Sequence, residues 1–442
     1  MYGVIVPVIP FAIQYRAGVP ADSVQRWVSV LLAVYGAALL VGAPICGVLA
    51  DRSTSRRGPL LCGLAVLAGS TVMLCLGRSI ALLVVGRMLQ GGSASVVWVV
   101  GLALMSDSVG ENEAGKAMGY VTLSYSLGIL VAPLLGGVVY ARAGYYAVFG
   151  MIFAVIGLDI ILRLLLIEKK IASKWLPAEA VTEGVRAKED DSEKNIPLTD
   201  IERTGPGGQF ADQNDGRIQI APASGKSKLP PIILLLKSKR MLAAFWGNLV
   251  MAAVYGGFDT TLPLYVNKVF GWDSLGAGLI FLALVTPSFA GPVIGHFTDK
   301  YGPRWIAATG LVLALPFFVL LRLVDHDSVR QIVLLCALLA GIGGSSALVM
   351  TPLMTEFSSV CDAKERKQPG VFGPRGAYAQ SYGIFNMAWA AGSLIGPLWA
   401  AGVVQTAGWK TMAWTLGLLC AVSVVPVVLY SGGQITKRKE QS

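Results

Sequence analysis

The sequence predicts an all-α polytopic membrane protein built from two copies of one six-helix bundle, and three observations predict it. Apolar runs of about 20 residues, each long enough to cross roughly 30 Å of hydrocarbon as a helix, recur along the chain. A turn motif, GVLADRSTSRR from Gly47 to Arg57, returns more loosely as GHFTDKYGPRW from Gly295 to Trp305. Gly47, Asp51 and Arg56 are thereby repeated 248 positions on as Gly295, Asp299 and Arg304. Between the two copies lies a stretch of different character, residues 168–239, with KEDDSEKN and RTGPGGQFADQNDG and almost no long apolar segment.

Composition agrees. The chain is 54% hydrophobic and only 14% charged, with mean hydropathy +0.63, whereas soluble chains carry about a quarter charged residues. The net charge of +10 belongs to Lys and Arg in the loops between apolar runs, which reads as topogenic charge and not as a nucleic-acid surface. Six cysteines have no paired spacing and read as small packing residues, and two histidines, His296 and His326, form no cluster with them. No metal site and no cofactor site are expected. The chain shows no nucleophile beside a base and no phosphate loop, so an enzyme is the least supported class.

Taken in order, Met1 is followed by YGVIVPVIPFAI, about 13 apolar residues that reach only about 20 Å as a helix, and these read as the second half of a first span. Further spans are expected at 27–50, 59–77, 80–106, 117–140 and 145–167, completing an N-terminal bundle over 1–167. The 168–239 stretch reads as a disordered linker, too polar to bury a core. Six more spans follow at 240–266, 274–297, 305–323, 330–355, 377–403 and 412–430, giving a C-terminal bundle over 240–431 and a basic tail over 432–442. Counting Lys and Arg in the short loops gives thirteen on the linker side against eight opposite. That bias puts both termini and the linker in the cytoplasm. The turn Gly144–Tyr145 echoes in Gly408–Trp409, and Pro133 in Pro397, each 264 positions on. Two parallel six-span halves joined by an inner linker are a transporter layout.

Three motifs carry a more specific resemblance: the turn itself, LVVGRMLQGGSA in span four, and GILVAPLLGG in span five. Together they resemble the twelve-span drug:proton antiporter branch of the major facilitator superfamily, in particular its fungal members similar to vesicular amine transporters. The resemblance covers the chain apart from the linker and the short start. Thr54 departs from the family turn, which has Gly there, and Ala132 replaces the Gly before Pro133. The second half supplies Gly302 in its turn and GSLIGP, Gly392 to Pro397, in span eleven. The implied fold is the major facilitator fold, and the implied activity is proton-coupled export.

Each motif has a mechanical reading. Asp51 is expected to cap a neighbouring helix or pair with Arg52, Arg56 and Arg57 as a conformational latch, with Gly47, Gly295, Asp299, Gly302 and Arg304 as its parts. In GILVAPLLGG, Pro133 removes a backbone donor and bends the span, while Gly128, Ala132, Gly136 and Gly137 admit a partner helix closely, as Gly392, Gly396 and Pro397 do in the second half. Arg87 lies inside span four, where a charge costs at least a few kcal/mol unless it faces a partner or a cavity. The resemblance assigns Arg87 to proton coupling with Gln90, one turn on. Asp259 is the best intramembrane carboxylate of the second half and joins them as a coupling candidate. Asp159 and Arg163, four apart, are expected to pair structurally. Trp98, Tyr125, Tyr255, Phe258, Asn386 and Trp389 are the candidate lining of a central cavity for an amphipathic or cationic organic substrate.

The expected protein is a monomeric exporter of small organic compounds working by proton antiport through alternating access, in the plasma membrane or else a vacuolar or vesicular one. A facilitative transporter or nutrient importer, and a membrane sensor that binds without flux, are the competing readings. The partners implied are a small-molecule substrate, protons and the lipid bilayer, with no nucleic acid.

Overall fold

The computed structural model describes residues 13, 16–53, 55–109, 113–165, 229–272, 274–373 and 376–432. The expected half-span at the start apart from Ile13, Thr54, the linker up to 228 and the tail beyond 432 lie outside the described residues.

The described chain is helical, and apolar periodicity explains little of it. A helix with lipid on one side and protein on the other is apolar all round, so length and loop chemistry set its limits. Among the described residues, five long helices make up the first half: α1 (Ala21–Arg52), α2 (Arg57–Leu76), α3 (Ile80–Ser108), α4 (Ala114–Ala143) and α5 (Tyr145–Leu165). They correspond to expected spans two to six. A short helix α6 (Pro231–Leu236) precedes α7 (Lys239–Phe270). Next, α8 (Ser274–Val285) passes through a 3-10 turn at Thr286–Ala290 into α9 (Gly291–Tyr301), so one expected span is bent where Pro287 interrupts it. The set ends with α10 (Pro303–Leu320), α11 (Val329–Lys367) and α12 (Tyr378–Tyr430). Ten of these stretches are long and apolar enough to cross a membrane.

Two features differ from expectation. The 53-residue α12 is two spans in sequence, and its only non-helical residue is Gly408, φ +83°, a conformation that costs glycine little. The chain turns there, so the expected break at 404–411 is a single residue in the structure. At the linker's end, residues expected to be structureless form α6. Its sequence PIILLL is apolar enough to dock, and Leu235 is fully buried.

The proline–glycine motifs of the two halves pack differently. Helix α7 lies along the first part of α12, where a Cβ at Gly392 or Gly396 would stand 2.2 Å from the carbonyl oxygens of Leu249 and Ala253, and Pro397 fits against Gly256. Gly392 and Gly396 thus lie directly against the backbone of α7. In α4, by contrast, no atom lies within 4 Å of a Cβ placed on Gly128 or Gly137, and the side chain of Pro133 lies outside the described residues. Gly136 is buried and Ala132 packs partly against the first-half core.

The halves meet closest at the linker end. Gly47 of α1 faces the carbonyl of Ala379 in α12, and Gly383 faces that of Ala43, each with room for a Cβ only at 2.8 Å. The repeat reproduces this contact with partners exchanged. A Cβ on Gly295 of α9 would stand 2.2 Å from the carbonyl oxygen of Gly115 in α4, and one on Gly119 would stand 2.3 Å from that of Gly291. Residues 43 and 47 become 291 and 295, while 115 and 119 become 379 and 383. The linker end is therefore closed by two backbone contacts related by the pseudo-twofold of the duplication.

Gly295→Leu is expected to abolish transport with protein amount preserved, because a side chain there holds α9 off α4. Gly128→Leu, which meets nothing within 4 Å, is expected to retain it. Initial uptake rates into vesicles, normalised to immunodetected protein, check the pair.

A closed gate of capped helices beside an aromatic cleft

Asp51 ends α1 and is 5% exposed. Its carboxylate accepts hydrogen bonds from the backbone N–H of Ala379 at 3.1 Å and Gln380 at 2.9 Å, and from Gln380 Nε2 at 3.2 Å. It thus caps the N-terminus of α12 in the opposite half, where unsatisfied N–H groups and the helix dipole favour negative charge. It also pairs with Arg56 at 3.1 Å. Arg56 donates onward to Asp107 of α3 at 2.9 Å and to the carbonyl of Ala50 at 2.8 Å. Both expected roles of Asp51, cap and ion pair, are therefore present together.

The second copy repeats the cap. Asp299 Oδ1 accepts from Gly115 N–H at 2.6 Å and Oδ2 from Lys116 N–H at 2.9 Å, at the start of α4. The ion pairing differs between copies. Arg304 donates to the carbonyl of Ser431 at 2.6 Å and so closes the C-terminus of α12. Gly302 supplies the φ of +83° that turns the chain into α10. Arg57 reaches the carbonyl of Leu164 at the end of α5, and Arg52 sits exposed in the last turn of α1.

A second charged cluster at this end escaped the sequence reading. Glu356 of α11 is fully buried and receives a two-pronged bond from Arg240, Nε to Oε1 and Nη2 to Oε2, the latter at 2.9 Å. Gly432 N–H donates to Oε1 at 2.7 Å. Glu356 lies one residue beyond the repeat of Asp107, and its place inside the apolar run LVMTPLMTEFSSV was the available signal.

Above the gate, Ser106 and Tyr382 share a 2.8 Å hydrogen bond between α3 and α12, and Thr351 of α11 donates to Thr122 of α4 at 3.3 Å. These join the halves one layer further in. Beyond them, four rings run across both halves: Trp98 to Tyr125 at 5.6 Å, Tyr125 to Trp389 at 5.7 Å and Trp389 to Tyr255 at 6.1 Å. All four are half-buried, and the edge-on geometry of the first two contacts suits aromatic pairs. Asp259 is one turn past Tyr255 on the same face of α7, is exposed, and has no hydrogen bond or ion pair to another described residue.

Two expected cavity residues are elsewhere. Phe258 is wholly buried, stacked on Phe318 at 5.8 Å, because it lies about 100° around the helix from Asp259 and faces α10. Asn386 is 2% exposed and donates to the carbonyl of Tyr382 in its own helix, so it belongs to the packed layer. Arg87 is fully buried, and its Nη1 donates to Gln90 Oε1 at 2.7 Å, so the expected pair forms. Both sit on α3 toward the end away from the linker, apart from Asp259 on α7. Asp159 and Arg163 pair at 3.2 Å as expected. No group of three or more His, Cys, Asp or Glu able to hold a metal occurs among the described residues.

Comparison with known proteins supplies the family. The model of the Major Facilitator Superfamily matches residues 1–373 and, in a second match, 279–441. An uncharacterized MFS-type transporter of Schizosaccharomyces pombe is 36% identical over 95% of this chain and 90% of its own. The MFS-type transporter ppzB of Metarhizium majus is 31% identical over 98% of this chain and 96% of its own. The vesicular acetylcholine transporter of Rattus norvegicus is 26% identical over 96% of this chain and 70% of its own. Among solved structures, the human organic anion transporter MFSD10 superposes with a TM-score of 0.66 at 17% identity, covering 96% of this chain and 95% of that one.

Arg240→Met is expected to lower the thermal midpoint in detergent, since it strands a buried carboxylate at a cost of about 3–5 kcal/mol. The double variant Arg240→Met with Glu356→Leu is expected to recover part of that loss. A single variant as stable as the parent contradicts the clamp.

Proposed function

The chain belongs to the major facilitator superfamily, and on that premise we propose that it exports small organic compounds, cationic or amphipathic ones in particular, by proton antiport. It is a multi-pass membrane protein and a transporter by family; the direction, the proton and the substrate class are the proposal. So is the placement of the linker and termini in the cytoplasm of a plasma-membrane protein, with the closed gate inside and the aromatic cleft reached from outside. The working unit is a monomer.

The observation that carries the reading is Asp259, an exposed carboxylate inside an apolar helix, one turn from a ring chain that spans both halves. A lone ionisable group at that depth is costly unless it is used. With rings on one side and a carboxylate on the other, the cleft suits an organic cation through cation–π and charge attraction. A proton or the cation neutralises Asp259, and each displaces the other, which is the competition an antiporter requires. Arg87 with Gln90 is the second coupling candidate, acting through the packing of α3.

The cycle then follows from the gate. Two caps at about 1–2 kcal/mol each bias the closed form by about 2–4 kcal/mol, roughly 30- to 900-fold. A bias of that size yields to differential ligand binding. One-for-one exchange of a proton for a monovalent organic cation moves no net charge, so the pH gradient drives it, at about 1.4 kcal/mol or roughly tenfold accumulation per pH unit.

Three experiments test this. Uptake of a fluorescent organic cation into inside-out vesicles is expected to collapse when the pH gradient and voltage are dissipated; undiminished uptake overturns proton coupling and favours facilitated diffusion. Asp259→Asn is expected to retain downhill counterflow while losing at least tenfold of gradient-driven uptake. Asp51→Asn is expected to cut both by about tenfold with protein still reaching the membrane, and normal transport in that variant removes the latch.

A further inference from the structure

Between the linker and α7, helix α6 touches the gate itself. Its first turn presents the N–H of Ile232, which donates to Gln380 Oε1 at 2.9 Å. The other end of the same side-chain amide, Nε2, donates to Asp51 Oδ2, the oxygen that also takes Gln380 N–H. An amide has one acceptor end and one donor end. With its oxygen claimed by Ile232, its nitrogen must face the Asp51 carboxylate, so α6 fixes the amide in the orientation that completes the cap. Leu235, fully buried, anchors α6 in place. Four residues beyond α6, Arg240 is held by Glu356, which also holds Gly432 just past the end of α12.

We propose that α6 is a bolt on the linker-side gate and Gln380 the positioning residue through which it acts, so that the interdomain linker controls how readily the gate opens. Opening separates α1 from α12 and must break the Asp51 cap. With α6 seated, Gln380 is held on Asp51; with α6 withdrawn, its amide is free to swing away from the carboxylate, and the cap is weakened. The segment that follows the linker thereby becomes the place where pulling, binding or modification of the linker is converted into a change of gate population. This rests on the linker end being a gate, and is independent of proton coupling.

The test uses the full chain in inside-out vesicles without substrate or gradient. Ser106→Cys, one layer behind the gate, reports opening through its rate of labelling by a membrane-impermeant maleimide, counted above that of the chain with Ser106 intact. Leu235→Ala and Gln380→Leu are each expected to raise the rate severalfold, and together to raise it no further than the larger of the two. Gln380→Glu, which keeps the acceptor for Ile232 but sets a charge against Asp51, is expected to raise it as well. Ile233→Ala, on the exposed side of α6, serves as the control and is expected to leave it unchanged. Labelling of Leu235→Ala at the parental rate, or independent multiplication of the Leu235→Ala and Gln380→Leu effects, overturns the bolt. Because the readout needs no gradient, loss of proton dependence in the transport assay leaves this inference standing, and its failure leaves the antiport reading standing.

Discussion

Two aspartates, each ending a helix in one half and capping a helix in the other, are the constraint on which the arrangement turns. Asp51 holds α12 and Asp299 holds α4 through five hydrogen bonds, all donated by the opposite half. The geometry demands more than the carboxylates. A side-chain oxygen can reach a backbone N–H across a helix crossing only if the backbones themselves nearly touch. Glycines at 47, 295, 119 and 383 provide that approach. Remove the glycines and the caps lose their reach; remove the caps and the glycines leave two bare helix ends facing a membrane interface.

The two copies are not equivalent, and the difference is informative. Asp51 is buried and tied through Arg56 to Asp107, so its end of the gate carries an ion chain inside the first half. Asp299 is half-buried, and its turn arginine, Arg304, is occupied with the end of α12 instead. The second half places its buried carboxylate, Glu356, under Arg240, where the linker rejoins the bundle. A duplicated frame has thus been wired differently: one copy braces its own turn, the other fastens the incoming linker and the last helix.

Much of this was legible in the sequence, for identifiable reasons. Apolar length alone sets the spans, and the 248- and 264-residue offsets expose the duplication and single out Asp51 and Asp299 from the sequence. Their partners were invisible, because a backbone N–H leaves no trace in residue identity. Glu356 and Gln380 were missed because a single polar residue within an apolar run resembles the many that are merely satisfied in place. Phe258 and Asn386 were assigned to the cavity from depth along the span alone. Depth fixes the layer, while the 100° step of the helix fixes the direction, and for these two it points into the packing. Helix α6 was lost to the linker because six apolar residues are too few to register as a span, yet enough to dock.

The central claim is that the paired caps, and not general apolar packing, hold the linker end shut. Spin labels at positions 52 and 367, exposed ends of α1 and α11, report the separation of the halves by pulsed electron resonance in a cysteine-free chain. The account predicts one dominant short distance, replaced largely by a longer one when Asp51 and Asp299 are both changed to Asn. An unaltered distance distribution in that double variant would contradict it.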